Sequence, residues 1–153
     1  MPLGYTVNVL QILYSNRDQR GDLRRNGANL LIDSGLECAI DISLFTNARA
    51  APGDELPAGA DRGGWYGDSL RKSPASKLWL LAGARITPTT IRAAAGYARE
   101  ALQWLIDDGV ADQINTRAER VSDGVLGFEI KIHRPTDPGD RWLRFWRAVE
   151  TGE

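Results

Sequence analysis

Hydrophobic positions along the chain predict two amphipathic helices and a small sheet. Residues 88–108 have the clearest pattern, because apolar side chains recur there at intervals of three and four positions. These side chains are Ile91, Ala95, Ala98, Leu102 and Leu105, with Ala94, Ala101 and Ile106 beside them. Thr87 before Pro88 is a typical helix start, and Gly109 is a typical helix end. A second stripe on this helix consists of Tyr97, Ala101 and Trp104, which predicts that more than one face is buried.

A second helix is predicted over residues 35–49. Ser34 and Glu37 have the spacing of a capping box, a helix-start signal. The apolar positions that follow at intervals of four are Leu36, Ile40 and Leu44. Residues 40–44 also alternate between apolar and polar, so a strand is the alternative. We favour the helix because the cap signal and a long run without proline agree.

The C-terminal third predicts antiparallel strands. Residues 125–134 alternate between apolar and polar side chains. The apolar residues that share one face are Leu126, Phe128, Ile130 and Ile132. The turn SDG at 122–124 joins this strand to an alternating segment at 111–121, which together predict a hairpin with one buried face. The segment RPTDPGD at 134–140 predicts a further turn. Residues 140–150 are predicted as a third strand, although the spacing of their aromatic side chains also fits a short helix.

The N-terminal segment has weaker signals. Residues 6–14 predict a strand or an extended arm, the polar residues 15–29 a loop, and residues 29–33 a short strand. We therefore predict an N-terminal arm or strand plus loop at 1–28, and a single domain at 29–153.

A long loop separates the two predicted helices. Residues 51–76 are rich in proline, glycine, aspartate and serine, and loops of this length within a domain are often functional. The apolar run KLWLL at 77–81 would anchor the far end of this loop. The predicted fold is therefore α+β, with two main helices packed on a small antiparallel sheet and a long Gly/Pro-rich loop.

Composition narrows the functional classes. The chain has 153 residues, of which 42% are hydrophobic, and its 19 basic residues nearly balance 20 acidic ones. A net charge of −1 argues against a protein held to nucleic acid by phosphate contacts. No apolar run reaches the roughly 20 residues of a membrane helix, and no signal peptide is expected. A single cysteine, Cys38, excludes an intrachain disulfide and fits a reducing compartment.

Candidate catalytic chemistry is sparse. His133 is the only histidine and has no cysteine or second histidine near it in sequence, so no metal site is expected. Cys38, inside a predicted helix, is expected to be a small buried side chain. Asp107 and Asp108 could be a general acid and base, but we favour exposed residues that help to end the helix. Glu37, Asp61 and Asp68 could in principle face a glycan as the carboxylates of a glycosidase. Sequence spacing does not establish the required separation. We expect no catalytic, cofactor or metal site.

The segment DRGGWYGD at 61–68 is the most unusual stretch. Glycines permit close approach of the backbone, and tryptophan, tyrosine and arginine are enriched at protein interfaces. The candidate partner-binding residues are Arg62, Gly63, Gly64, Trp65, Tyr66, Gly67 and Asp68. The alternative is that Trp65 and Tyr66 fold back to hold a long loop against its own domain.

Several motifs in order resemble the Mu-type phage tail protein family of contractile-tail baseplates. They are GLECAIDISLFTNARA, DELPAGADRGGWYGD, KLWLL and YAREALQWLIDDGVAD, within residues 29–148. Tyr66 stands where the family often has a second tryptophan. More distantly, the chain is similar to the lysozyme-like small wedge protein of T-even phages and to a type VI secretion baseplate subunit.

The resemblance implies a structural role in the baseplate wedge of the virion tail, assembled in the host cytoplasm. It implies contacts with other wedge subunits, the tail sheath protein and hub or tube proteins, in six copies around the tail axis. Strand edges that start the sheath are part of that expectation. A peptidoglycan-degrading tail enzyme is the alternative.

Overall fold

A computed structural model gives the structure of the chain. It describes residues 9–10, 12–15, 20–23, 25–26, 29–30, 32–33, 36–64, 74–135 and 137–147. The chain divides into two compact units, Met1–Ile42 and Ser43–Glu153. The division falls inside the first helix, and the boundary predicted between residues 28 and 29 stays a prediction.

Short antiparallel pairs make up the first unit before its helix. Strand β1 (Val9–Leu10) pairs with β6 (Ile32–Asp33). Strand β2 (Ile12–Ser15) pairs with β3 (Arg20–Leu23), and β4 (Arg25–Asn26) pairs with β5 (Asn29–Leu30). The prediction of a loop over 15–29 was therefore wrong for β3 and β4. Strand pairing uses backbone groups, so polar residues form it when a partner strand is available.

Helix α1 (Leu36–Phe45) confirms the helical alternative for this segment. Its apolar positions Leu36, Ile40 and Leu44 are all buried, and Cys38 is buried as expected. The helix ends four residues before the predicted end at 49. The backbone after it is extended, because Asn47 forms a parallel bridge with Ser76. The capping-box residue Ser34 and the side chain of Glu37 lie outside the described part.

Helix α2 (Pro88–Asp107) follows the predicted boundaries closely. The Thr87 side chain accepts a hydrogen bond from the Thr90 N–H at 3.2 Å, which satisfies one of the unpaired donors at the helix start. The predicted stripe is buried at Ala98, Leu102 and Leu105, and half-buried at Ile91 and Ala95. Gly109 follows the helix with φ +72°, the left-handed conformation of a helix end.

Strands β7 (Gln113–Ser122), β8 (Val125–Arg134) and β9 (Asp137–Arg147) form an antiparallel sheet in the order β7-β8-β9. The four apolar residues predicted to share the buried face of β8 are all buried: Leu126, Phe128, Ile130 and Ile132. Helix α2 packs against β7, and the Thr116 hydroxyl on β7 donates to the Ala95 carbonyl of the helix at 2.9 Å. The confirmed fold class is α+β.

The third strand begins three residues earlier than predicted. Residues 134–140 were predicted as a turn, but β9 already begins at Asp137, which pairs with Arg134. A register shift lies between Ile132 and Arg134 on β8, opposite Pro138 and Gly139. Proline lacks the backbone N–H of a regular ladder, so an outer strand with an irregular start accommodates it. Pro-Gly therefore marks the start of this strand and not a separate turn.

The predicted loop between the helices is described at residues 51–64 and 74–76. These residues form no helix, and their only strand-like pairing is the isolated bridge at Ser76. The run KLWLL forms a 3₁₀ helix at Leu78–Leu81, in which Leu78 is buried. None of the helices in the described residues is long and apolar enough to span a membrane.

Candidate functional site

Only the first three of the seven candidate partner-binding residues lie in the described part of the chain. Arg62, Gly63 and Gly64 are described, whereas Trp65, Tyr66, Gly67 and Asp68 are not. The Asp61 carboxylate accepts the Gly63 N–H at 2.7 Å, and this bond tightens the turn that enters the glycine pair. A partner-binding role for these seven residues stays a prediction.

The two described glycines lie very close to other parts of the same unit. Gly63 has φ +56°, and a Cβ there would lie 3.0 Å from the ring of Trp79. Gly64 has φ +94°, and a Cβ there would lie 2.7 Å from Cβ of Arg49. The Ala50 N–H also donates to the Arg62 carbonyl at 2.8 Å. These glycines therefore serve internal packing, while the Arg62 side chain is exposed.

The Trp79 ring lies next to Gly63, the first glycine of the pair. Its indole N–H donates to the Ala48 carbonyl at 2.8 Å, so the ring is held at both its polar and apolar parts. The sequence pattern indicated Trp79 only as part of an apolar run that anchors the loop. The tryptophan itself was a signal for such a contact, because an indole packed inside a protein requires a hydrogen-bond acceptor for its N–H.

Ser76 joins the loop to both neighbouring helical segments. Its hydroxyl donates to the Leu44 carbonyl in α1 at 2.7 Å and accepts the Leu78 N–H of the 3₁₀ helix at 3.1 Å. Its backbone forms the bridge, with the Ala48 N–H donating to the Ser76 carbonyl and the Ser76 N–H donating to Thr46. One buried serine thus satisfies a carbonyl at the end of one helix and an N–H at the start of another.

A groove of about 800 Å³ lies between α2 and the two loop segments joined by this bridge. On the loop side it is lined by Ala48, Arg49, Pro74, Ala75, Ser76 and Lys77. On the helix side it is lined by Tyr97, Glu100, Ala101, Gln103, Trp104, Asp107 and Asp108. The predicted second stripe of α2 thus forms a wall of the groove, with Ala101 buried and the two aromatic rings half-buried.

The Trp104 ring has a defined orientation in this wall. Its indole N–H donates to the buried hydroxyl of Ser43 at 2.9 Å. A half-buried indole with a satisfied N–H presents the rest of its surface to the groove without needing to rearrange.

Charged side chains are distributed unevenly around the groove. The Lys77 ammonium lies 2.8 Å from the Asp54 carboxylate, which also accepts the Ala51 N–H at 2.7 Å. The hydrogen bond from Lys77 holds the pKa of Asp54 below its ordinary value, and the Ala51 N–H acts in the same direction. The Asp54 carboxylate in turn raises the pKa of Lys77. Asp107 and Asp108 are exposed at the other end, where Asp107 accepts from the Gln103 amide at 3.2 Å.

The remaining candidate carboxylates do not converge on one point in the described structure. Asp61 is exposed and bonded to its own turn, and Asp68 and the Glu37 side chain are outside the described residues. His133 is half-buried on β8, where its carbonyl accepts the Asp112 N–H. Across the described ranges, no group of three or more His, Cys, Asp and Glu side chains is placed to hold a metal ion.

Comparison with known proteins assigns the family. A family model described as "Phage protein GP46" matches residues 36–139, from the first residue of α1 into β9. The chain belongs to the GP46 family. The sequence motifs therefore identified a Mu-type baseplate family correctly, and the match includes each of the described residues that line the groove.

Two relatives of the chain are similar to it over most of their length. Baseplate protein gp46 of Escherichia phage Mu is 44% identical over 128 residues, which are 82% of this chain and 87% of the relative. Mu-like prophage FluMu protein gp46 of Haemophilus influenzae is 40% identical over 130 residues, 84% of this chain and 88% of the relative. Similarity of this extent supports a shared fold along nearly the whole domain.

Proposed function

We propose that this chain is a structural subunit of a phage tail baseplate and forms part of the wedge of a contractile tail in the virion. The observation that carries the proposal is its 44% identity over 128 residues to baseplate protein gp46 of phage Mu. Its partners in this proposal are other wedge subunits, the tail sheath protein, and hub or tube proteins. Six copies would surround the tail axis.

The location is tested by isolating tails from particles that encode this chain. Quantitative mass spectrometry should find the subunit at about six copies per tail, and an antibody against an affinity-tagged chain should label the distal end. Particles with complete tails that lack the protein would contradict the proposal. A different stoichiometry would correct only the copy number.

Sheath initiation by strand addition is the second part of the proposal. In the described sheet, β7 and β9 are the outer strands, and an outer strand carries backbone N–H and C=O groups that an incoming strand can pair with. The β9 edge is interrupted near its start by Pro138, whereas β7 has no proline between Gln113 and Ser122. Both edges are candidates for the sheath contact.

Paired proline substitutions can identify the edge. Successive residues of a strand direct their N–H groups to opposite sides, so of two adjacent prolines one breaks the β8 ladder and the other only blocks the outer edge. Arg117→Pro and Ala118→Pro form such a pair on β7, and Leu143→Pro and Arg144→Pro on β9. In each pair, the variant that keeps the β8 ladder should still fold. We expect that variant, on the strand that contacts the sheath, to stop sheath growth. Normal sheaths with the folded members of both pairs would reject strand addition.

We also propose that Arg62, Trp65 and Tyr66 anchor a neighbouring wedge subunit. The support is the exposure of Arg62 beside two glycines that the same unit holds tightly, a rigid base for a contact. Trp65→Ala should then reduce incorporation into tails more than it lowers the Tm of the isolated protein. A large fall in Tm with normal incorporation would instead assign Trp65 to loop packing.

A non-enzymatic role is part of the proposal. The purified protein should leave the turbidity of a peptidoglycan suspension unchanged, in parallel with a lysozyme control. Clearing by the wild-type protein that is lost in a variant of Asp61, Asp68, Asp107 or Glu37 would favour a cell-wall-degrading function.

A further inference from the structure

We infer that the groove between α2 and the bridged loop segments binds an arginine- or lysine-bearing segment of a neighbouring baseplate protein. This inference rests on the proposed structural role, which supplies the neighbour. The described residues on which it rests do not include Arg62 or the strands of the sheet.

The size and walls of the groove suit a peptide side chain. A volume of about 800 Å³ falls within the range of protein sites that enclose compact ligands. Tyr97 and Trp104 are seven residues apart on α2, which corresponds to about 10 Å along the helix axis. Both rings are half-buried, and Trp104 is already oriented by its bond to Ser43. A partner therefore meets prepared aromatic surface.

The charge distribution selects a cation at one end of the groove. Asp107 and Asp108 lie at the C-terminal end of α2, where the helix dipole is itself negative, and the last turn contains no basic residue. The two carboxylates are therefore repelled by each other and by the negative end of the helix dipole. A bound cation would offset both repulsions. A phosphate-bearing partner would meet repulsion at the same place.

Among the described residues, no cation forms an ion pair with Asp107 or Asp108. Lys77 donates to Asp54 at 2.8 Å, which is the main cause of its raised pKa, and Glu100 and Tyr97 add to that rise. Arg49 is exposed on the loop wall. Among the described lining residues, the two cations thus lie on the loop side and the exposed carboxylates, Glu100, Asp107 and Asp108, on the helix side.

Arginine fits this arrangement better than other side chains. Its planar guanidinium can stack on an indole and at the same time donate to a carboxylate in a fork. Trp104 and Asp107 are separated by three positions on one helix, so they lie on the same face. A basic side chain next to an apolar one in the partner would occupy both the charged end and the aromatic wall.

A short peptide pair tests the chemistry on the full chain. The probes are an acetylated Leu-Arg-Leu-Arg amide and its Leu-Glu-Leu-Glu counterpart, titrated while the indole N–H signal of Trp104 is followed by NMR. We expect the basic peptide to shift this signal with a Kd on the order of 1 mM, more weakly at higher salt. Equal shifts by both peptides, or none from the basic peptide at roughly ten times that Kd, would overturn the inference.

Charge variants of the groove sharpen the test. The double variant Asp107→Asn/Asp108→Asn should weaken the basic peptide about tenfold. Glu119→Gln is the matched control, because Glu119 is an exposed acid opposite Gly127 on the sheet and outside the groove. Asp107→Lys/Asp108→Lys should reverse the preference to the acidic peptide. Unchanged affinity in the Asn double variant would show that the peptide binds elsewhere.

Incorporation into tails separates this inference from the proposed function. If the wild type is found in tails and the Asn and Lys double variants enter them as well as Glu119→Gln does, the groove inference is wrong and the structural role stands. If the variants fold but fail to enter tails, the inference is supported. If the wild type itself is absent from complete tails, the proposed function fails.

Discussion

Gly64 lies so close to Arg49 that a Cβ on the glycine would be 2.7 Å from Cβ of the arginine. Its φ of +94° also excludes an unstrained side chain. Gly64→Ala should therefore lower the free energy of unfolding by about 2 kcal/mol or more, since strain and overlap both contribute. Urea unfolding of the purified protein measures the loss.

Two other loop glycines serve as controls for this substitution. Gly59 has φ +77° with nothing within 4 Å of an added Cβ, so Gly59→Ala isolates the conformational strain. Gly53 has neither a left-handed φ nor a close neighbour, so Gly53→Ala should be neutral or slightly stabilising. An equal loss at Gly59 and Gly64 would show that the approach to Arg49 has no energetic weight.

Ser76→Ala tests the junction between α1, the loop and the 3₁₀ helix. The substitution leaves the Leu44 carbonyl and the Leu78 N–H without their side-chain partner in a buried place. We expect a loss of about 1–3 kcal/mol in unfolding free energy, because unsatisfied buried groups retain their desolvation cost. The exposed Ser122 provides the control variant Ser122→Ala, which should change stability by less than about 0.5 kcal/mol.

The Asp54–Lys77 pair predicts a pH-dependent contribution to stability. Lys77 lowers the pKa of Asp54, so the folded protein releases this proton more readily than the unfolded chain does. The contribution is present above the unfolded value of about 3.9 and is lost as the pH falls through the lower folded value. The raised pKa of Lys77 has the opposite sign, with stability lost as the pH rises through the folded value, above about 10.4.

Urea midpoints at about pH 5 and pH 3 test the acid side of this prediction. Asp54→Asn should reduce the change in midpoint between the two pH values relative to the wild type. Glu55→Gln alters the neighbouring exposed acid and should retain the wild-type change. Parallel curves for the wild type and Asp54→Asn would contradict a role for the pair.

Asp107→Asn/Asp108→Asn should raise the stability of the isolated protein. Removing two negative charges at a helix C-terminus relieves about 0.3–1 kcal/mol each at low ionic strength, and salt should diminish the gain. Thermal unfolding at low and high salt measures this effect. Greater stability together with weaker peptide binding would indicate that these carboxylates are retained for binding, whereas lower stability would assign them a structural role.

Local patterns predicted those elements whose signals lie within one element. The boundaries of α2 followed from Thr87, Pro88 and Gly109, and the buried face of β8 followed from its alternation. The same local information failed at Arg20–Leu23, where polar residues form a strand, and at Asp137, where proline and glycine suggested a turn. In both places the strand depends on a partner that supplies backbone hydrogen bonds, which no pattern within the segment reveals.

The sequence by itself determined the fold class, the two helices and the family, and it marked the glycine-rich segment as unusual. Only the tertiary structure decided how that segment is held, because the contacts join residues far apart in the chain. The Trp79 indole reaches Ala48 across 31 positions, and the Trp104 indole reaches Ser43 across 61. Periodicity reports which face of an element is apolar, whereas the groove and its charged end exist only when those elements are brought together.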